Sequence, residues 1–195
     1  MKKVTLFAAL AVATAAAPAF AQATDGKLSQ DSSVGKLSVK AVIPNMVRIS
    51  GLEDMAFNVT ADAVANESGA IAKTQRFCVY SNDTADGLYK LSVDGLAGDE
   101  LNTGEAKFAL TGETGNTLSI AVFTSDNAAN AFNGTAAPGL ARSFKTTAGG
   151  QTRPTNLSCN GVENAAMAVK ITNKRILAAT AGSYTGTLTL TVSPI

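Results

Sequence analysis

Apolar and hydroxyl side chains alternate through the end of the chain, Gly182-Ser-Tyr-Thr-Gly-Thr-Leu-Thr-Leu-Thr-Val-Ser-Pro-Ile195. Successive strand residues point to opposite faces, so Tyr184, Leu188, Leu190 and Val192 are predicted to line one face of a closing β-strand. Thr185, Thr187, Thr189 and Thr191 would line the other. A second alternating run lies near the beginning, with Leu37, Val39, Ala41 and Ile43 interleaved with Ser38, Lys40 and Val42 until Pro44-Asn45 stops it.

Between these ends the same period of two recurs in short pieces. Residues 55–59 make a short strand candidate. Residues 75–81 and 88–93 flank Asn82-Asp-Thr-Ala-Asp-Gly87, a turn-forming loop, and are read as a hairpin in which Tyr89, Leu91 and Val93 share a face. Residues 108–111 and 117–124 continue the series across Gly112-Glu-Thr-Gly-Asn116. Residues 125–150 are crowded with Asn, Ala, Gly and Thr and are expected to be a long surface excursion with one short strand near 141–145. Alternation resumes through Met167, Val169 and Ile171. The alanine runs at 61–72 and 127–137 keep no 3.6-residue apolar stripe, so neither predicts more than a helical turn. Many short strands without a long amphipathic helix predict an all-β protein, an antiparallel β-sandwich.

The first residues carry a different signal. Lys2 and Lys3 precede the apolar stretch 4–17, too short to span a bilayer, and Ala19-Phe20-Ala21 fits the small-x-small rule for signal peptidase. Residues 1–21 are therefore expected to be a removable signal peptide, with a second acceptable cleavage site after Ala23. Removing residues 1–21 from the 195 leaves 174, within the range of one domain, and 14 basic against 15 acidic side chains. That near-neutrality offers no electrostatic footprint for nucleic acid or an anionic membrane. The organisation expected is 1–21 leader, 22–44 N-terminal extension and 45–195 β-domain.

Both cysteines, Cys78 and Cys159, remain after cleavage in an exported chain, where an oxidising compartment favours a bridge between them. Catalytic chemistry finds little support. The chain has no histidine, which removes Ser-His-Asp, Cys-His and HExxH arrangements. Asp94, Asp99, Glu100 and Glu105 are near one another in sequence but nothing fixes their separation, so they are read as loop-solvating acids and not as a glycosidase-like pair. Asn82-x-Thr84-x-Asp86-Gly87 resembles the start of a calcium loop, yet its twelfth position is Val93, not glutamate. No catalytic residue, metal ligand or cofactor is expected.

The two alternating ends carry a resemblance. Lys36-Leu-Ser-Val-Lys-Ala-Val-Ile-Pro44, together with Ala181-Gly-Ser-Tyr-Thr-Gly-Thr-Leu-Thr-Leu-Thr-Val192, resembles the major subunits of chaperone–usher pili, nearest to the class 5 (alpha-type) colonisation-factor pilins and more loosely to the spore coat U-like archaic pilins. Those families pair an N-terminal alternating segment ending near a proline with a final strand of the form Ala-Gly-x-Tyr-x-Gly-x-x-x-Leu. The likeness is specific over the two ends and architectural between them. The cysteine pair and the extra residues 22–33 depart from the class 5 pattern.

The resemblance implies an immunoglobulin-like sandwich lacking one strand, completed by an extended segment from a neighbour. It further implies export through the periplasm to the surface of a Gram-negative-type bacterium, with a periplasmic chaperone, an outer-membrane usher and neighbouring pilin subunits as partners, and a receptor or surface ligand it does not identify. Leu37, Val39, Ala41 and Ile43 would be the donated side chains, while Tyr184, Leu188, Leu190 and Val192 would border the groove. Three readings of the extra segment stay open: it is flexible, it is cleaved further, or it is part of a longer donor strand involving Leu28 and Val34. The alternative function is a stand-alone exported β-sandwich that binds a carbohydrate or protein through the 125–150 loop.

Overall fold

A computed structural model of the protein describes residues 23–99, 107–130, 132 and 134–195. The leader expected over residues 1–21, with Lys2, Lys3 and the Ala21 cleavage site, lies outside the described residues. The chain divides into two compact units, Met1–Ile43 and Pro44–Ile195.

In the first unit the described residues, 23–43, are all exposed. Residues 37–43, expected as a strand, form no ladder among the described residues. Among the described residues of this unit, Thr24 pairs with Lys36 in an antiparallel bridge.

Among the described residues, the second unit is built from antiparallel strands with two short α-helices. In chain order these are β1 (Val47–Ser50), α1 (Ala61–Val64), β2 (Ala70–Ser81), β3 (Leu88–Asp94), β4 (Lys107–Gly112), β5 (Thr117–Ser125), β6 (Gly134–Thr135), β7 (Arg142–Lys145), β8 (Ala165–Thr172), α2 (Asn173–Ala178), β9 (Tyr184–Thr185) and β10 (Thr189–Ser193). A seven-stranded sheet runs β1-β2-β8-β5-β4-β9, with β6 added on β5, and a three-stranded sheet runs β10-β3-β7.

Period-two alternation explains what each strand buries. In β3 the side chains of Tyr89, Leu91 and Val93 are buried while Lys90 and Asp94 are exposed. In β8 the larger residues Met167, Val169 and Ile171 enter the main core; Ala166 and Ala168 face the other way into a small cluster with Phe123. The main core draws Phe77 and Val79 from β2, Phe108 from β4 and Ile120 and Val122 from β5, together with Tyr89, Leu91, Val93 and Phe144 of the smaller sheet. Both sheets thus bury one face in a shared apolar cluster.

Four expectations are corrected. Residues 75–81 and 88–93 are not a hairpin: β2 pairs with β1 and β8, and β3 pairs with β10 and β7. β8 pairs along residues 70–77 of β2 and β1 along residues 78–81, while β3 belongs to the other sheet. The intervening loop turns through left-handed Thr84 (φ 55°) and Gly87 (φ 63°). Residues 55–59 are irregular; their alternation places Met55 and Phe57 against the core without a ladder.

The excursion 125–150 is not a purely surface loop. It carries β6 and β7 and lends Ala136 and Phe144 to the core. The closing run, finally, is two strands in different sheets, with β9 on β4 and β10 on β3. Gly186 marks the crossing, where a Cβ would stand 2.9 Å from Leu110 Cδ2 and 3.3 Å from the Ala109 carbonyl oxygen. The two strands expected over residues 108–111 and 117–124 are present as β4 and β5, and they pair with each other in register from Lys107↔Ala121 to Thr111↔Thr117.

Candidate functional site

The first and last strands of the second unit, β1 and β10, each lie at the end of their sheet. In β1, Val47 and Ile49 are half-buried against the main core while Arg48 is exposed, and the strand ends at Gly51, whose φ of 79° turns the chain away. In β10, Leu190 and Val192 are likewise half-buried against the core, with Thr189 and Thr191 exposed. Leu188 packs onto the same core just before β10.

β1 is the terminal strand of the larger sheet and β10 of the smaller one. The two lie alongside one another, yet their ladders run only to β2 and to β3, respectively. Among the described residues, the outer edges of β1 and β10 carry no further ladder, beside half-buried Val47, Ile49, Leu190 and Val192. Strand addition at an unpaired sheet edge works in general through main-chain ladder bonds, with apolar side chains at alternate positions covering the core.

The lower end of β1 is held in place by Asn82. Its Oδ1 accepts the Met46 N–H at 2.6 Å and its Nδ2 donates to the Pro44 carbonyl at 2.9 Å. The Asn82 N–H donates to the Met46 carbonyl at 3.2 Å. One loop asparagine thereby fixes the path of the chain where the domain begins.

The residues singled out from sequence are distributed as follows. Leu190 and Val192 lie in the edge strand β10, and Leu188 immediately precedes it. Tyr184 lies apart from them in β9. Its hydroxyl donates to the Thr180 carbonyl at 2.7 Å and accepts from Asn116 Nδ2 in the β4–β5 turn. Leu37, Val39, Ala41 and Ile43 are exposed residues of the first unit. Cys78 in β2 and Cys159 are joined in a disulfide with Cα atoms 5.8 Å apart, both nearly inaccessible. Sequence reasoning missed β1 itself, although Val47 and Ile49 alternate just past Pro44-Asn45, and it missed the Asn82 clamp, for which no local pattern exists.

The acids considered for catalysis take structural roles where they are described. Asp94 Oδ1 accepts the Gly95 N–H and the Asp99 N–H donates to Ser119 Oγ; Glu100 and Glu105 lie outside the described residues. The calcium-like loop uses the Asp86 carbonyl and carboxylate to accept from Thr146 and Thr147 hydroxyls. Among the described residues no three His, Cys, Asp or Glu side chains gather to hold a metal ion, and no helix is long and apolar enough to cross a membrane.

The phenol of Tyr89 is fully buried and its hydroxyl has no protein partner among the described residues. Burial, with the Asp126 carboxylate adding, pushes its pKa well above the ordinary tyrosine value. The chain matches no family model and no curated protein.

Proposed function

We propose that the protein is a non-enzymatic structural subunit of a surface pilus, an immunoglobulin-like sandwich whose open seam is filled by residues 37–43 of the next subunit. The observation that carries this reading is the pair of unpaired edges, β1 and β10, over half-buried Val47, Ile49, Leu190 and Val192. Two further features support it. Both sheets bury residues in one core, and Tyr184 bonds back to the Thr180 carbonyl, the geometry of the tyrosine corner of immunoglobulin-like folds.

The donor side chains suit the seam in size and spacing. Leu37, Val39 and Ile43 present apolar groups at every second or fourth position, with the small Ala41 between. Burying the three larger ones gives a gross gain of about 5–9 kcal/mol, from which the ordering of the segment subtracts. Left unfilled, the same seam is an aggregation hazard, and this accounts for a periplasmic chaperone and an outer-membrane usher as partners on the way to the cell surface.

The experiment is to express the chain lacking residues 22–43 beside the full chain and compare ladders resistant to heat and SDS. The full chain is expected to form them and the truncated chain to remain monomeric. Ladders from the truncated chain would refute the donor role.

A further inference from the structure

The larger sheet has another stretch without a ladder, and it is independent of the donor-strand reading. β2 is 12 residues long; β8 pairs along residues 70–77, while the four residues of β1 pair only with residues 78–81. β1 then ends at Gly51, whose carbonyl accepts from Gln75 Nε2 at 3.4 Å, and among the described residues no further strand follows on that side of β2. Backbone groups along a strand point alternately to its two neighbours. The Phe77 carbonyl accepts the Asn164 N–H and Val79 bonds to the Asn164 carboxamide, so the odd-numbered residues of β2 point to the β8 side. The Asn82 N–H donates to the Met46 carbonyl, so the even-numbered ones point to the β1 side. Ala72, Thr74 and Arg76, all exposed, thus present N–H and C=O groups to an edge that carries no ladder among the described residues.

On this edge a charge stands where the pattern calls for an apolar side chain. Lys73 shares a face with Ile71 and Phe77, of which Phe77 lies in the main core and Ile71 packs against it, yet Lys73 is exposed. Its ladder partner on β8 is the core residue Val169. A lysine on the inward face of an edge strand obstructs the addition of another strand.

We infer that residues 70–77 of β2 are the surface on which two copies of this chain would join edge to edge, and that Lys73 is the side chain that keeps them apart. In an antiparallel pairing of this edge with itself, even-numbered residues must face even-numbered ones, because only those point outward. Two such registers overlap residues 70–77 most. In one, Ala72 faces the partner's Thr74 and Lys73 faces the partner's Lys73. In the other, Thr74 faces the partner's Thr74 and Lys73 faces the partner's Gln75, which makes the two lysines diagonal neighbours. The lysine Cβ atoms then lie about 5 Å apart in the first register and about 7–8 Å in the second, close enough for like charges to repel. Arg76 relieves neither register, since it faces the partner's Ala70 in the first and the partner's Ala72 in the second.

The test uses the full chain in a Val39→Asp background, so that donor exchange does not contribute, and reads sedimentation equilibrium and amide hydrogen exchange. Lys73→Val is expected to self-associate at least tenfold more tightly than this parent, with slowed exchange at Ala72, Thr74 and Arg76. Lys90→Val is the control: it removes the same exposed charge from β3, a strand paired on both sides, and should stay within twofold of the parent. Lys73→Glu should not associate alone but should form a one-to-one complex when mixed with the parent, since the ladder then sets a carboxylate beside an ammonium group. That mixture needs no apolar substitution and decides the question if Lys73→Val fails to fold. Equal association of Lys73→Val and Lys90→Val, unchanged exchange at residues 72, 74 and 76, or no complex in the mixture would overturn the inference. Such a result leaves the donor-strand reading untouched, because none of these measurements passes through residues 37–43.

Discussion

Asn164 stands in for a neighbouring strand at Val79. Its Oδ1 accepts the Val79 N–H at 2.8 Å and its Nδ2 donates to the Val79 carbonyl at 2.9 Å, with both residues buried. The ladder between β2 and β8 ends at Phe77↔Ala165, so the next inward-facing pair of backbone groups on β2 would otherwise be orphaned. The Asn164 N–H donates to the Phe77 carbonyl and its own carbonyl accepts from Gln151 Nε2, each at 3.2 Å, which ties the loop before β8 to the loop after β7.

Asn164→Ala should therefore lower stability by about 2–4 kcal/mol, since two buried backbone groups lose their partners at once. Asn164→Asp should also destabilise, because it keeps the acceptor but loses the donor. Urea unfolding followed by circular dichroism measures both, and a change under 0.5 kcal/mol for the alanine variant would contradict the role assigned to the side chain.

Cys78 and Cys159 close a long segment, 81 residues apart in sequence. Replacing both with serine should cost about 4 kcal/mol in the chain-entropy account of cross-links. Thermal melts of the double variant beside the oxidised chain read this directly.

Tyr89→Phe removes a buried hydroxyl that has no partner among the described residues, and should stabilise the domain by about 1 kcal/mol. The pH dependence has a definite sign. The folded phenol holds its proton above the pH at which an unfolded tyrosine loses it, so the folded state binds more protons above pH ~10 and stability falls as pH rises past that point. Below that pH the group contributes nothing to the slope. Denaturation midpoints between pH 8 and 11.5 should fall less steeply in Tyr89→Phe than in wild type.

Tyr184→Phe loses the bond to the Thr180 carbonyl and the one from Asn116, at a cost of about 1–2 kcal/mol. As Tyr184 lies in β9 and not beside the seam, its ladders should persist. Leu190→Ala, which thins the seam wall, should lower the temperature at which ladders dissociate. The two variants, compared on one gel, separate the part of the closing segment that borders the seam from the part that does not.

A synthetic peptide of residues 36–44, added to the full chain, should raise its melting temperature in a concentration-dependent way, as any ligand of the folded state does. The same peptide with aspartate in place of Val39 should leave the melting temperature unchanged, since it would carry a charge into the core. Equal effects from the two peptides would rule out insertion by side-chain fit.

Local patterns in the sequence were enough to place most strands. Period-two alternation located β3, β4, β5, β8 and β10, because each has one face turned to the core and the other to a different environment. The same rule misread residues 55–59, where Met55 and Phe57 reach the core from irregular chain, and it passed over β1, which is short and lies directly after a proline stop. Residues 125–150 looked solvent-facing by composition, yet Ala136 and Phe144 reach the core because β6 pairs with β5 and β7 with β3.

By itself, then, the order of residues determined that the chain is made of short antiparallel strands and that Cys78 and Cys159 have only each other to bond. Tertiary structure alone decided which edge each strand uses. Alternation records which side chains face inward and carries no information about which backbone lies alongside. β2 pairs with β1 and β8, and β3 with β10 and β7 in the second sheet. Gly186 lets the closing run change sheets, and Asn164 and Asn82 satisfy backbone groups far away in sequence. Those long-range pairings are set by competition for unpaired edges and buried polar groups, a competition settled only when all the elements are packed together.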